Sequence, residues 1–154
     1  MPVHVYRICG LELSSDRELP GCPAGGAGTD VVLRHGPVPP VLPGAFRHGE
    51  HLHVRGDSCL IDLKGVGFFL VRGGREVTCM PAAEAEPQLV AQAISSTVGA
   101  ALVYQRGGYC LHGSTVARDG RATILVGDKG AGKSTLSAAL VLCGYELVTD
   151  DVTI

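Results

Sequence analysis

A chain of 154 residues has room for one ordinary domain, or for a small domain and part of another. With 45% hydrophobic and 18% charged residues it can bury a core, which excludes wholesale disorder. A net charge of −2, a pI near 6.3 and the lack of Trp leave neither a basic face nor a stacking platform for nucleic acid.

The amino terminus, MPVHVYRICG, lacks the basic-then-apolar order of a secretion signal. The most apolar stretch, LVAQAISSTVGAALVY, is interrupted by Gln92, Ser95, Ser96 and Thr97, so no membrane span is expected. Cysteines stand at 9, 22, 59, 79, 110 and 143, with no C-x-x-C pair. The expectation is a cytoplasmic protein whose thiols are reduced and mostly buried.

Residues 1–86 read as a small β-rich N-terminal region. HVYRI (4–8), DVVLRH (30–35), SCLIDL (58–63), GFFLVR (67–72) and REVTCM (75–80) are short strand-like runs. PGCPAGGAGTD (20–30) and GPVPPVLPG (36–44) are breakers between them, and Gly73-Gly74 is a hairpin signal. HGEHLH (48–53) gathers His48, His51 and His53. On a strand the last two share a face, but no acid or cysteine stands at ligand spacing, so a solvated turn is expected instead of a metal site.

The period then changes. Val90, Ile94, Val98 and Ala101/Leu102 recur at helical spacing, with Pro87 at the start and Gly107-Gly108 at the end. Residues 87–108 are therefore a connecting amphipathic helix, and its apolar stripe is a packing face.

Residues 109–154 carry the chemistry. GDKGAGKS (127–134) is a full match to G-x-x-x-x-G-K-[ST], preceded by the strand-like ATILV and followed by the helix-like KSTLSAALVLCG. Glycines at 127 and 132 permit the backbone angles and close approach that turn successive N–H groups toward a phosphate. Gly127, Asp128, Lys129, Gly130, Ala131, Gly132, Lys133, Ser134 and Thr135 are the expected nucleotide contacts. Lys133 reaches the phosphate oxygens, and the Ser134 hydroxyl is suited to Mg²⁺. Lys129 occupies a variable position and reads as solvated charge.

Geometry brings two more groups to the loop. A helix over 133–143 climbs about 16 Å, and a strand over 145–149 returns about the same distance. A right-handed crossover makes that strand parallel to 122–126, so Asp150 and Asp151 emerge level with the loop. Such an acidic pair can hold a metal and accept a proton from an attacking hydroxyl. Asp119-Gly120 reads as a two-residue hairpin turn; with Arg118 opposite Arg121, His112 falls opposite Gly127.

The segments LHGSTV, GDKGAGKS and GYELVTDDVTI, in this order and spacing, resemble the catalytic domain of HPr kinase/phosphorylase and, more distantly, phosphoenolpyruvate carboxykinases. VYQRGGYCLHGS is closer still to HPr-kinase-like proteins found beside peptide-modification gene clusters. The resemblance implies a partial α/β P-loop nucleotide-binding fold of the HPr kinase/carboxykinase type after the β-rich region. It implies ATP and Mg²⁺ as cofactors, with His112, Lys133 and Asp151 catalytic and Ser134 and Asp150 at the metal. Asp151 would be the proton acceptor.

HPr kinases follow the loop serine with Glu-Thr, where this chain has Thr135-Leu136, and residues 1–86 do not resemble their regulatory domain. The implied acceptor is accordingly a Ser or Thr hydroxyl on another protein or peptide; a homo-oligomer is compatible with this reading. The family continues beyond the Asp-Asp strand with further strands, a metal-ligating glutamate and an arginine-bearing segment, so a truncated kinase domain with an open sheet edge is expected. The alternative is a catalytically incomplete ATP-binding module or sensor. A transport ATPase is disfavoured, because Asp151 follows Ser134 too closely for an inserted subdomain.

Overall fold

The computed structural model describes residues 3–49, 51–128, 130–150 and 152–153; Lys129 and Asp151 lie outside the described residues. The chain divides into two compact units, Met1–Gly108 and Tyr109–Ile154. Among the described residues no helix is long and apolar enough to cross a membrane.

The first unit is an eight-stranded sheet. Its strands are β1 (His4–Ile8), β2 (Leu11–Ser15), β3 (Val31–His35), β4 (Phe46–His48), β5 (Leu52–Arg55), β6 (Ser58–Leu63), β7 (Gly67–Arg72) and β8 (Glu76–Pro81), in the order β1-β2-β3-β8-β7-β6-β5-β4. β2, β3 and β8 run parallel, and every other neighbouring pair is antiparallel. The first hairpin turns on Cys9 and Gly10, both at positive φ (55° and 73°). Gly73 and Gly74, also at positive φ, close the β7–β8 hairpin.

Alternation explains the two-sided core. Cys59 and Ile61 of β6, Phe69 and Val71 of β7, and Val77 and Cys79 of β8 share one buried cluster. Against them pack Val90, Ile94, Val98 and Leu102, the helical stripe expected from spacing. That helix is α1 (Pro87–Ala93), a π-helical turn at Ile94–Val98, and α2 (Gly99–Gln105). It belongs to the first unit, because its stripe completes that unit's core. Gly99 lets it lie against the β1–β2 turn, where an added Cβ would come 2.5 Å from Cys9 Sγ. Each fully buried aliphatic or aromatic side chain here contributes about 1.5–3 kcal/mol.

The opposite face is covered by the Pro-rich segment 36–44, which does more than separate strands. Val38 and Leu42 pack on Leu60, Leu70, Phe68 and Met80, and Arg55 Nη1 donates to the Pro43 carbonyl at 2.9 Å. His53 sits in β5 and is buried, so the expected solvated turn does not extend to it; its neighbour His51 is an exposed turn residue. The β5–β6 pairing sets His53 opposite Leu60, and Nδ1 of its ring has no hydrogen-bond partner among the described residues. Cys59 and Cys79 are buried, Cys9, Cys22 and Cys110 are half-buried, and Cys143 is exposed, so most of the thiols are less buried than expected.

The second unit contains β9 (Leu111–Arg118), β10 (Arg121–Val126), α3 (Lys133–Leu142), β11 (Glu146–Thr149) and β12 (Val152–Thr153). The expected α/β P-loop nucleotide-binding fold is not what forms. Strands make up 41% of the described residues and helices 20%. β9 lies between β10 and β11 and is antiparallel to both, so β11 runs parallel to β10 as expected, but with β9 inserted between them in a mainly antiparallel sheet. The cause is local. The Asp119-Gly120 turn folds β9 directly onto β10, leaving the far edge of β9 as the docking place for the strand that follows α3. β9 is accordingly the central strand, with Ser114, Thr115 and Val116 all buried.

Candidate functional site

The β9–β10 hairpin has the register that its turn demands: Arg118 pairs with Arg121 and Gly113 with Val126. Asp119 (φ 52°) and Gly120 (φ 70°) supply the two left-handed residues of a type I′ turn. His112 is therefore one step beyond the last pair, beside Gly127 at the mouth of the glycine-rich loop. It is exposed, and it also pairs with Val152 on its other side.

The loop itself leaves β10 and enters α3. Gly130 (φ 86°) and Gly132 (φ 83°) are left-handed, and Gly132 caps α3. Gly127 serves through close approach: a Cβ there would stand 3.2 Å from the Ala131 Cβ. The Ala131 N–H donates to the Asp128 carbonyl at 3.1 Å, which tightens the turn. Lys133 Nζ donates to the carbonyls of Gly127 (2.8 Å) and Asp128 (3.1 Å), tying the two ends of the loop together. Asp128, Gly130, Ala131, Gly132, Ser134 and Thr135 are exposed around it.

Asp150 meets this assembly from β11. Its carboxylate accepts a short hydrogen bond from Ser114 Oγ on β9. Ser137 Oγ, buried on α3, lies 3.4 Å from the same oxygen and donates to the Ser134 carbonyl at 3.1 Å. The Ser114 hydroxyl first, then that of Ser134, holds the Asp150 carboxyl below the usual carboxylate range. Burial opposes them, while Ser137 and the Lys133 ammonium add to the lowering. Asp150 is thus an anion fixed beside the first turn of α3, within reach of Ser134 and Lys133. By strand alternation His112 shares the Ser114 face of β9.

The structure brings together His112, the loop, Lys133, Ser134 and Asp150. The expected contact Lys129 and the expected proton acceptor Asp151 lie outside the described residues. Ser114 and Ser137 were not expected. The signal for Ser137 was its place one helical turn after Ser134, and for Ser114 its alternation with His112.

Among the described residues no group of three or more His, Cys, Asp or Glu side chains could hold a metal. A phosphate-bound Mg²⁺ does not need one, since it takes one or two protein oxygens and completes its shell with phosphate and water. The Ser134 hydroxyl and Asp150 carboxylate are hard oxygen donors of this kind. No family model matches the chain, and no curated protein or solved structure matches it significantly.

Proposed function

We propose that the chain binds ATP with Mg²⁺ at residues 127–135 and transfers the γ-phosphoryl group to a Ser or Thr hydroxyl of a protein or peptide, in the manner of HPr-kinase-like phosphotransferases. The observation that carries this reading is the Asp150 carboxylate held between Ser114 and Ser137, next to Ser134 and Lys133. Anion-binding N–H groups and a cation-binding carboxylate then flank one small volume.

In this reading Lys133 exchanges its bonds to the Gly127 and Asp128 carbonyls for phosphate oxygens. Ser134 and Asp150 would hold Mg²⁺, which would supply charge neutralisation at the phosphates. His112 stands at the loop mouth to orient the acceptor or leaving oxygen. Asp151 takes the hydroxyl proton as the new O–P bond forms and the bond to ADP breaks. Dependence on ATP is consistent with a cytoplasmic site of action.

The test is equilibrium binding of ATP–Mg²⁺, followed by phosphorylation of Ser/Thr peptides. Lys133→Ala and Asp150→Asn should each weaken ATP–Mg²⁺ binding by at least about tenfold, since each removes a charge-assisted contact. Asp151→Asn should abolish transfer while leaving nucleotide affinity nearly unchanged. Unaltered affinity in the Lys133 variant would refute the site. Binding without any transfer would leave an ATP-binding module.

A further inference from the structure

Among the described residues β10 pairs only with β9, so its other edge is open. The Asp119-Gly120 hairpin decides which backbone groups lie on that edge. Arg118 and Arg121 flank the two-residue turn as a hydrogen-bonded pair, and the pattern alternates from there. Arg121, Thr123 and Leu125 thus turn their N–H and C=O groups inward to β9. Ala122, Ile124 and Val126 turn theirs outward, where an extended chain can take them up.

This edge starts at a basic cavity and finishes at the glycine-rich loop. The register sets Arg121 directly opposite Arg118, two like charges on one face of the sheet. Tyr145 falls beside Arg118 on the other side, since Glu146 pairs with Ala117. These three side chains, with Asp119 and Thr123, line a cavity of about 440 Å³. Arg118 is already engaged. Its Nη1 donates to the Cys143 carbonyl at 3.2 Å, its guanidinium carbon lies 5.3 Å from the Tyr145 ring centre, and its Nε is 3.7 Å from Asp119 Oδ2. The exposed Arg121 guanidinium has no hydrogen-bond or ion-pair partner among the described residues. A carboxylate seated beside it would relieve the repulsion from Arg118.

We propose that the open edge of β10 binds an extended peptide segment as an added antiparallel strand, with an Asp or Glu of the peptide on Arg121. On the kinase reading, on which this part of the proposal rests, the other end of the segment presents its Ser or Thr to the loop. Antiparallel pairing continues the β9–β10 arrangement and is the more stable per residue. From Arg121 to Gly127 is six residues, about 20 Å of strand. In an antiparallel partner the residue facing Gly127 precedes the one facing Arg121 by six. Six is even, so both side chains project on the face that carries Ser114. The acid therefore follows the acceptor by six positions. Residues one and three after the acceptor lie over Val126 and Ile124 on the opposite face, where both are exposed and favour apolar partners.

The experiment uses the full chain and a labelled peptide with Ser, apolar residues one and three positions later, and Glu six positions later. Companion peptides replace Glu by Gln or move it to position five or seven. Fluorescence anisotropy without nucleotide, amide exchange along β10, and phosphorylation with ATP–Mg²⁺ are the readouts. The first peptide should bind at least about tenfold tighter than its Gln companion, through its charge-assisted contact. It should slow exchange at the outward amides of Ala122, Ile124 and Val126, and should be phosphorylated with the highest kcat/KM. An acid at position five or seven falls on the apolar face and should lose that advantage.

Arg121→Glu removes an exposed side chain that the fold does not use. It should abolish the preference for Glu and restore tight binding when the peptide carries Lys at the same position. Equal affinity for the Gln peptide, a best spacing of five or seven, or protection confined to other strands would overturn the proposal. So would β10 amides already protected in a dimer of the free chain. Docking on β10 without phosphorylation of any peptide would refute the kinase reading and support the edge as a peptide site.

Discussion

In the first unit Phe69, Leu33 and Ile94 are shut off from solvent between a sheet and a helix, whereas in the second the only buried apolar side chain among the described residues is Val116. Leu136, Leu147 and Val148 are more than half exposed or close to it, and Leu142 is 90% exposed. The buried side of α3 is instead the Ser137 side, which faces the polar cluster around Asp150. One unit is thus held by apolar burial, and the other by ladder hydrogen bonds and a set of hydroxyl–carboxylate contacts. The difference teaches where function can sit. The second unit commits its interior to polar groups aimed at the loop, while the first gives its interior to apolar packing.

The sharpest way to break this comparison is to remove apolar volume from each unit. Phe69→Ala empties the centre of the first core and should cost about 3–5 kcal/mol of stability, enough to unfold that unit in mild urea. Val116→Ala deletes far less and should cost about 2 kcal/mol or less. Urea melts followed by NMR signals from each unit check both numbers. A Val116 variant as damaging as the Phe69 variant would mean that the second unit also depends on apolar packing.

Asp16→Asn tests whether the first unit also relies on charge. The Asp16 carboxyl titrates lower in the folded chain than in the unfolded one. Its stabilisation is therefore full at neutral pH and is lost as pH falls through the folded value, below the ordinary carboxylate value near 4. The wild type should exceed the variant by about 1–3 kcal/mol at neutral pH, and the gap should close in the acid range below about pH 4. A gap that persists unchanged in acid would assign the effect to packing alone.

What could be read without coordinates follows from how local each signal is. The runs 58–63 and 67–72 became β6 and β7 over the same residues, and the stripe Val90–Ile94–Val98–Leu102 is the helical packing face, because alternation and helical spacing are nearest-neighbour effects. The Asp119-Gly120 turn fixed the β9–β10 register residue by residue. β2 was not read, since its two serines dilute the apolar pattern and its turn places a cysteine, not a glycine, at positive φ. The strand order of the second unit was also out of reach. β11 keeps its parallel direction to β10 whether it pairs with β10 or with β9, and only the competition for the edges of β9 decides which neighbour it takes. At the candidate site the loop, Lys133 and Asp150 were legible as motif and spacing, but Ser114 and Ser137 depend on which faces meet.

The smallest effect tests the hairpin that positions His112. Gly120 has φ 70°, a conformation costly for a residue with Cβ, and nothing lies within 4 Å of where that Cβ would be. Gly120→Ala should therefore cost about 1 kcal/mol through backbone strain alone. Amide exchange along β9 and β10 should quicken by about fivefold, with the β6–β8 amides of the first unit unchanged. The register matters more than the energy. A slip of one residue would move Gly113 off Val126 and turn His112 and Ser114 together to the opposite face, away from Asp150. If the strained turn merely frays, exchange rises while ATP–Mg²⁺ binding persists. If it slips, His112 loses its place beside Gly127, and any phosphoryl transfer should fall while the loop still binds nucleotide.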